Sequence, residues 1–382
     1  MRFRATATIQ SPLAVSARRA TGNDLATQAF LPGTTVRGAA AAVFLETAQA
    51  DAPDFRALFL EETVRFGDLR KEGAFPWPRS ARRCKEYETH RLRDVLLGWG
   101  AKALGERIEI QKKCNDGSSK APCPSKIAVP DGYGVFDAEK RQYEGVDVGM
   151  RRVAHIAMDP DLLRPRSGEF HTSRVIHSHQ IFEGFFHAES RGEDALRRFF
   201  ERERTLCVGR GRSRGQGRIA LSLSPEPAET AAEMAAKISA LNETAGRFAT
   251  LSDRIVFTCT LLSAAILLDD WLLPKLELDV VDFGVQGLES FAPIAKMTRS
   301  VDIAGWHAKA QLPKNGARAL APGSCFLFAR PLNVVEDRAM ATQRLAEILV
   351  HLQERGLGER REEGFGEASF CLPFHYEKAE GA

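Results

Sequence analysis

The sequence predicts an α+β protein made of two ferredoxin-like (RRM-like, βαββαβ) domains in tandem, with an insertion in the first. One observation is a repeated glycine-rich pattern, G-x-x-R-x-x-G-x-G, at residues 209–217 and again at residues 358–366. Another is a P-G-[ST] turn early in each half, at residues 32–34 and 322–324. Because both signals recur in the same order, they indicate an internal duplication.

The first half of the chain shows the expected elements in order. Alternating residues at 2–10 predict a strand, and the alanine-rich run at 34–48 predicts a helix. Residues 193–203 predict a second helix, and the alternating run at 218–223 predicts a closing strand after the glycine-rich segment. Strand, helix, strands, helix and strand is the order of a ferredoxin-like domain.

The second half repeats the closing part of that order. Residues 254–268 predict a strand or strand pair, and residues 339–355 carry apolar side chains at helical spacing. Gly356 suits the C-cap of this helix, and residues 367–374 predict the final strand.

Domain boundaries follow from these elements. We expect a first domain at residues 1–225, which contains a cysteine-bearing insertion at about 67–150, and a second domain at residues 251–382. Residues 226–250 are predicted to be the linker, and a helical run at 229–240 lies within it.

Composition limits the kind of protein. The chain of 382 residues is long enough for two domains. The net charge of +3 is too small to indicate a class of partner, so any binding of a polyanion must depend on local clusters of charge. Seven cysteines, an odd number, favour a reducing compartment over a disulfide framework. The N-terminus has no signal-peptide core, and no apolar run reaches the ~20 residues of a membrane helix. We therefore expect a cytoplasmic protein with no membrane partner.

The glycine-rich segments have a chemistry of their own. Glycine permits positive φ and close backbone approach, the exposed N–H groups form an anion-binding concavity, and arginine offers a planar fork that matches phosphate oxygens. The pattern therefore suits a polyanionic backbone, although a hairpin-like turn with solvated arginines is an equal alternative. No G-K-[ST] follows, and the glycines precede a strand, which argues against a Walker loop and a dinucleotide fingerprint.

These motifs resemble those of a known family. Residues 30–38, F-L-P-G-T-T-V-R-G, and the loop at 358–366 are similar to segments of the RAMP superfamily, the RNA-binding subunits of CRISPR effector complexes. The resemblance covers residues 1 to about 376, and the insertion makes the type III-D RAMP protein the most similar subtype. It implies an RNA-binding subunit that grips guide crRNA, meets target RNA, and assembles with other effector subunits in antiviral defence.

The predicted RNA contacts are the glycines and arginines of the two glycine-rich segments and one arginine of the first helix. Glu362 and Glu363 would repel phosphate, so the first segment is the better RNA contact, and the second could instead dock onto a neighbouring subunit. The predicted residues are Arg37, Gly209, Arg210, Arg212, Arg214, Gly215, Gly217, Arg218, Gly358, Arg360, Arg361, Gly364 and Gly366.

Whether the protein is an enzyme is left open by the sequence, and a non-catalytic scaffold is favoured. The resemblance implies that Asp24, after the first strand, could cut target RNA, although an Asn-Asp turn explains it equally well. Histidines could instead process guide RNA without metal, as general base and acid. The candidates for this second role are His171, His177, His179 and His187. A third alternative is an unrelated protein whose glycine-rich segments only shape two domains.

The insertion carries a candidate metal site. In the family that the chain resembles, a C-K segment followed by C-x-x-C implies a zinc knuckle, and zinc prefers four N or S ligands. This sequence offers Cys84, Cys114, Cys123 and His90, but has Lys126 where the second cysteine of C-x-x-C would stand. The alternative is a mobile polar insertion with free thiols.

Overall fold

The structure is a computed structural model that describes residues 1–16, 24–118, 121–159, 161, 164–189, 191–307, 312–332 and 336–379. It is a mixed α+β protein built on several antiparallel sheets, as predicted. Within the described residues, no helix has both the length and the apolar character needed to cross a membrane.

In the described residues of the first half, a five-stranded sheet and several smaller sheets combine with four α-helices, and the insertion supplies some of both. The helices of this half are α1 (Gly33–Phe44), α2 (Pro53–Phe59), α3 (Leu96–Ala103) and α4 (Arg191–Phe199). Its strands are β1 (Arg2–Ile9), β2 (Asp24–Leu25), β3 (Val64–Phe66), β4 (Phe75–Pro76), β5 (Ala81–Cys84), β6 (Arg93–Asp94), β7 (Gly117–Ser118), β8 (Ala121–Pro122), β9 (Ile127–Ala128), β10 (Tyr133–Asp137), β11 (Gln142–Val146), β12 (Met150–Asp159), β13 (Arg164–Ile176), β14 (Ile181–Ala188), β15 (Arg204–Cys207) and β16 (Arg218–Glu226).

The central sheet of the first half has the order β15–β16–β1–β14–β3. Its neighbours are all antiparallel, and Ala5 of β1 lies opposite both Gly184 and Leu223. The run β16–β1–β14–β3 has the order of a ferredoxin-like sheet, with the fourth strand beside the first. Alternate residues of β1 are buried, so one face of this strand packs into the first hydrophobic core.

The second half has its own helices and strands. The helices are α5 (Ala231–Ala245), α6 (Arg338–Arg355) and α7 (Phe374–Glu377). The strands are β17 (Arg254–Leu261), β18 (Leu267–Leu268), β19 (Pro274–Lys275), β20 (Ala292–Met297), β21 (Ser300–Ile303), β22 (Trp306–His307), β23 (Leu312–Pro313), β24 (Ala317–Leu320), β25 (Cys325–Pro331) and β26 (Ala368–Phe370).

The sheet of the second half repeats the order of the first but not its helices. Its order is β20–β25–β17–β26, which again places the last strand beside the first. Between β17 and β20, where the fold pattern calls for a helix, residues 262–291 contain the short strands β18 and β19, and their only helical element is the 3₁₀ turn Val280–Phe283. Helices from earlier in the chain pack on this sheet instead: α3 of the insertion contacts β20 and β25, and α5 contacts β17 and α6.

Residues 226–250, predicted to be the linker, hold α5. Its first turn is closed by a capping box between Thr230 and Glu233, and Met234, Ile238 and Leu241 lie buried along one face of the helix. These side chains belong to the same hydrophobic core as β17 and α6. The segment therefore contributes to the second core as well as joining the two halves.

The insertion belongs to the first half in sequence, but it also packs against the second half. Trp77 and Tyr143 pack with Phe374 of α7 in a small separate cluster, and the Tyr143 hydroxyl donates to Glu377 at 2.8 Å. After the insertion, β12 and β13 pair as a long antiparallel ribbon, termed the ribbon below.

Candidate nucleic-acid interface and metal site

Residues 209–217, termed loop 1, form a turn whose base is anchored on the segment after β1. The Arg210 amide donates to the Ala14 carbonyl at 2.9 Å, and the Gly217 amide donates to the Pro12 carbonyl at 2.9 Å. Gly209 and Gly217 have φ of 75° and 83°, and a Cβ at either would collide with a backbone carbonyl. Glycine is required at both positions by φ and by close approach.

The outer part of loop 1 is open and cationic. Residues Arg212–Arg214 form a 3₁₀ turn between Gly211 and Gly215, which both have positive φ. A Cβ at Gly215 would meet no atom within 4 Å, so solvent surrounds this end of the turn. In the described part of the chain, the side chains of four arginines here are exposed and form no salt bridge: Arg210, Arg212, Arg214 and Arg218.

A groove of about 390 Å³ separates loop 1 from the ribbon. Arg210 and Arg214 of loop 1 line one wall, and the ribbon lines the other with His155, His171, Ser173 and Arg174. The two histidine rings are stacked with centroids 4.8 Å apart, and His155 Nε2 lies 2.9 Å from Ser173 Oγ. The groove therefore combines cationic groups with imidazoles that form hydrogen bonds.

Burial lowers the pKa of His155 below its ordinary value, and the nearby His171 and Arg214 add to that shift. The shift therefore favours the neutral form of the His155 imidazole. The sequence analysis did not identify His155, Arg152 or Arg174 as candidate residues. The signal that would have found His155 is strand pairing, because β12 places it directly opposite His171.

The other predicted catalytic residues lie at the rim of this groove or away from it. Asp24 pairs with the ribbon next to groove residue Leu25; its carboxylate accepts from Thr172 at 2.8 Å and lies 3.7 Å from Arg152. The preceding residues 17–23 lie outside the described residues. His177 and His179 follow the ribbon in a turn, and His187 of β14 contacts Glu354 of the second half. Of the four predicted histidines, only His171 lines the groove.

Residues 358–366, termed loop 2, have the backbone of loop 1 in a different setting. The Leu357 amide donates to Gly366 O at 2.9 Å, as that of Val208 donates to Gly217 O at 2.8 Å in loop 1. A 3₁₀ turn again lies between two residues of positive φ, here Arg360 and Gly364. A Cβ at Gly364 would lie 2.5 Å from the Phe66 carbonyl oxygen, because loop 2 packs against β3 and the P-G-T turn of the first half.

Glu363 secures this contact. Its carboxylate accepts hydrogen bonds from Thr34 at 2.8 Å, from Lys314 at 2.9 Å and from Arg360 at 2.9 Å. Burial would raise the pKa of Glu363, but these three donors outweigh it and lower the pKa to about 2. Loop 2 thus forms an internal contact between the two halves, termed the joint below. The Glu363 carboxylate is the anion that the donors of this contact bind.

The remaining predicted RNA contacts lie near this joint. Arg361 is half-buried in loop 2. Arg37 of α1 is also half-buried and donates to the Phe59 carbonyl. Burial raises the pKa of the nearby Glu362, and the charge of Arg37 only partly offsets that rise. Gly358 and Gly366 sit at the base of loop 2 with φ of 71° and 75°. The structure therefore brings the two predicted sets of RNA contacts to two separate places, one exposed and one interior.

The four predicted metal ligands come together in the insertion. The ligand atoms of Cys84, His90, Cys114 and Cys123 all lie within 4.8 Å of one another. Cys84 Sγ lies 3.9 Å from Cys123 Sγ, and His90 Nδ1 lies 3.1 Å from Cys114 Sγ. Tetrahedral zinc with Zn–S bonds of ~2.3 Å places its sulfurs about 3.8 Å apart, so the donor set and its spacing fit zinc.

Comparisons with known proteins give distant likenesses only. No family model matches the chain, and no curated protein matches it. The cryo-EM structure of the type III-B Cmr-beta bound to cognate target RNA and AMPPnP has a TM-score of 0.45 at 12% identity, covering 85% of this chain and 86% of that chain. For Pyrococcus furiosus Cmr4 (Cas7) the TM-score is 0.27 at 10% identity, over 59% of this chain and 100% of that one. For a Cas6 product complex it is 0.32 at 8% identity, over 51% and 78%.

Proposed function

We propose that this chain is an RNA-binding RAMP subunit of a type III, III-D-like, CRISPR effector complex, and that it holds guide crRNA on loop 1. The observation that carries the proposal is the exposed cationic turn of loop 1 beside the groove. The P-G-T-T-V-R-G segment and the glycine-rich pattern supply the resemblance to the family.

The chemistry of loop 1 suits a phosphate chain. Exposed arginines neutralise phosphates and release counterions, so affinity depends on salt more than on base sequence. Positive-φ glycines leave room for a backbone to approach, and Gly215 has open space around it. Neutral His155 can accept or donate hydrogen bonds in the adjacent groove without adding charge.

Loop 2 has a different role in this proposal. Its carboxylate already occupies the donors that a phosphate would use, namely Thr34, Lys314 and Arg360. We assign RNA contact to loop 1 and the joining of the two halves to loop 2. Target RNA would pair with the guide, and other effector subunits of the cytoplasmic complex would surround both.

The test is to purify the protein with its bound partners from its native host and to sequence the RNA that accompanies it. Short RNAs that share one repeat-derived 5′ end are expected. Replacing Arg210, Arg212 and Arg214 with Ala should remove them, whereas replacing the paired Arg197 and Arg198 of α4 should not. A random RNA mixture that washes off in moderate salt, or none, would overturn the proposal and favour an unrelated protein with structural glycine-rich loops.

A second candidate is an endoribonuclease, favoured by the histidine pair in the groove and by Asp24 at its rim. A neutral imidazole can take the proton of a ribose 2′-hydroxyl, whose oxygen then attacks the adjacent phosphorus. The P–O5′ bond breaks, a protonated second histidine gives its proton to the leaving 5′-oxygen, and a 2′,3′-cyclic phosphate remains. Cleavage through Asp24 would instead need a divalent metal. Incubating the protein with bound RNA, with and without EDTA, separates these cases, and intact RNA in both leaves the non-catalytic scaffold.

A further inference from the structure

The metal-ligand cluster lies in a part of the chain with almost no other core. Among residues 102–133 whose burial the structure describes, Cys114 and Cys123 alone are buried. With Cys84 they form a separate cluster that only Ile127 joins from the apolar residues. A segment this polar does not bury enough apolar surface to hold its own shape, and a structural metal is the usual substitute.

The four candidate ligands come from positions that are far apart in the sequence. Cys84 ends β5, His90 follows in a turn, and Cys114 and Cys123 come from the opposite side of α3 in sequence. Backbone amides of Glu86 and Tyr87 donate to the Cys84 sulfur and orient it. Lys126, where C-x-x-C would have a cysteine, is exposed, and His90 Nδ1 supplies the fourth donor.

A short path leads from the cluster to the second half. Arg93 donates to the Cys114 carbonyl at 2.8 Å and to Asp116 at 2.6 Å. The next residue, Asp94, accepts from the Leu96 amide at the start of α3 at 2.9 Å and from buried His375 at 3.1 Å. Both Asp94 and His375 have fully buried side chains. The ligand segment is therefore joined to the second half by hydrogen bonds, and the last of them, between Asp94 and His375, is fully buried.

Helix α3 itself is part of the second core. Leu96, Leu97 and Ala101 belong to the same hydrophobic cluster as the strands of the second sheet, and Gly100 sits against Leu327 and Ile294. Any loosening of the segment between His90 and α3 would therefore act on the second half, although the cluster belongs to the insertion of the first.

We propose that Cys84, His90, Cys114 and Cys123 bind one zinc ion. The bound ion holds the insertion against the second half through Arg93, Asp94 and α3, an arrangement termed the clasp. The histidine replaces the cysteine that the C-x-x-C pattern lacks. Zinc binding here is independent of RNA binding by loop 1, so either proposal can fail alone.

The experiment uses the full-length chain purified from zinc-supplemented medium. Elemental analysis should find about one zinc per chain in the wild type and in the control Cys207→Ser, whose exposed thiol lies outside the cluster. Cys114→Ser should lose the zinc. In hydrogen exchange, removal of zinc should speed exchange at residues 93–103 by at least tenfold and leave β1 and β14 unchanged.

A second pair of variants keeps the test decisive if Cys114→Ser fails to fold. His90→Ala should weaken zinc binding, and His90→Cys should retain it, with stronger sulfur-to-metal charge-transfer absorption in the Co²⁺-substituted protein. Zinc-free wild type, equal zinc in His90→Ala and wild type, or a Cys84–Cys123 disulfide would overturn the metal site. Zinc loss without faster exchange in α3 would overturn the clasp.

Discussion

Loop 1 and loop 2 have the same backbone conformation but differ in their exposure and in the residues that they contact. Both have a 3₁₀ turn between residues of positive φ, and both are closed by the same backbone hydrogen bond at the base. Loop 1 projects beside an open groove, whereas loop 2 packs against β3 and the turn before α1. One turn geometry therefore serves an exposed cationic surface and an interior joint.

The two loops carry opposite charges at two positions of the repeat, and the first is Arg210 of loop 1, which corresponds to Glu359 of loop 2. Arg214 of loop 1 corresponds to Glu363 of loop 2, which is a reversal of charge. The arginine is exposed, and the carboxylate is buried among three donors. A joint between halves needs its anion within the protein, whereas a surface that binds RNA must leave the anion to the ligand.

The largest expected effect is on the joint. Gly364→Ala forces alanine to φ of +94° and places its Cβ against the Phe66 carbonyl, so we expect a loss of about 3 kcal/mol of unfolding free energy. The matched change Gly215→Ala in loop 1 meets no atom and should cost about 1 kcal/mol. Urea unfolding of both variants measures the difference. Equal losses would mean that loop 2 is not packed against the first half.

The next effect is on charge in the joint. Glu363→Gln leaves Lys314 and Arg360 without their carboxylate and should cost about 2 kcal/mol at pH 7. Because the folded pKa of Glu363 is about 2, below the ordinary 4.5, its stabilisation is present above pH 4.5 and is lost as pH falls toward 2. The wild type should therefore lose more stability than the variant between pH 5 and pH 2.5, by unfolding measured at each pH. Parallel pH profiles would contradict this assignment.

A smaller effect is expected on RNA binding by loop 1. Arg210→Ala with Arg214→Ala should weaken binding of a guide-length RNA about tenfold, or ~1.4 kcal/mol, and reduce the salt slope by about 2. Fluorescence anisotropy across a salt series measures both. Arg197→Ala with Arg198→Ala removes the same charge from α4 as a control. If Arg361→Ala in loop 2 reduced affinity as much as Arg212→Ala, the contrast between the loops would fail.

The smallest effect tests one hydrogen bond of the joint. Thr34→Val removes the donor to Glu363 and should cost about 1 kcal/mol, because the other two donors remain. Thr35→Val, one residue later on α1, serves as the matched control for the change of side chain. Thermal or urea unfolding that ranks the two variants equally would show that the Thr34 contact contributes nothing.

Much of the fold was within reach of the sequence. The predicted helices at 34–48 and 339–355 are observed at Gly33–Phe44 and Arg338–Arg355, and the strand at 2–10 is observed at Arg2–Ile9. These elements have strong local periodicity, which depends only on nearby residues. The sequence analysis named no helix between the first two strands of the second sheet, and residues 262–291 contain no α-helix; α3 and α5 from earlier in the chain pack on that sheet instead.

The candidate site was predictable in part. The arginines of loop 1 and the metal ligands were identified by residue type and spacing, although their RNA and metal roles stay predictions. His155 was missed because its partner His171 lies across a strand pair, and nothing in the local pattern marks it. Arg37 was identified, but its contact with the Phe59 carbonyl depends on how α1 and α2 pack.

The sequence alone indicated the strand at 2–10, the helices at 34–48 and 339–355, and the glycine-rich turns of both loops, and the duplication that it suggests stays a prediction. Glycine at positive-φ positions and apolar periodicity act over a few residues, so they can be read along the chain. Only the tertiary structure decided that loop 1 is exposed and loop 2 buried, and that α3 belongs to the second core. Those outcomes depend on contacts such as that of Thr34 with Glu363, whose residues are 329 positions apart and meet only when the two halves dock.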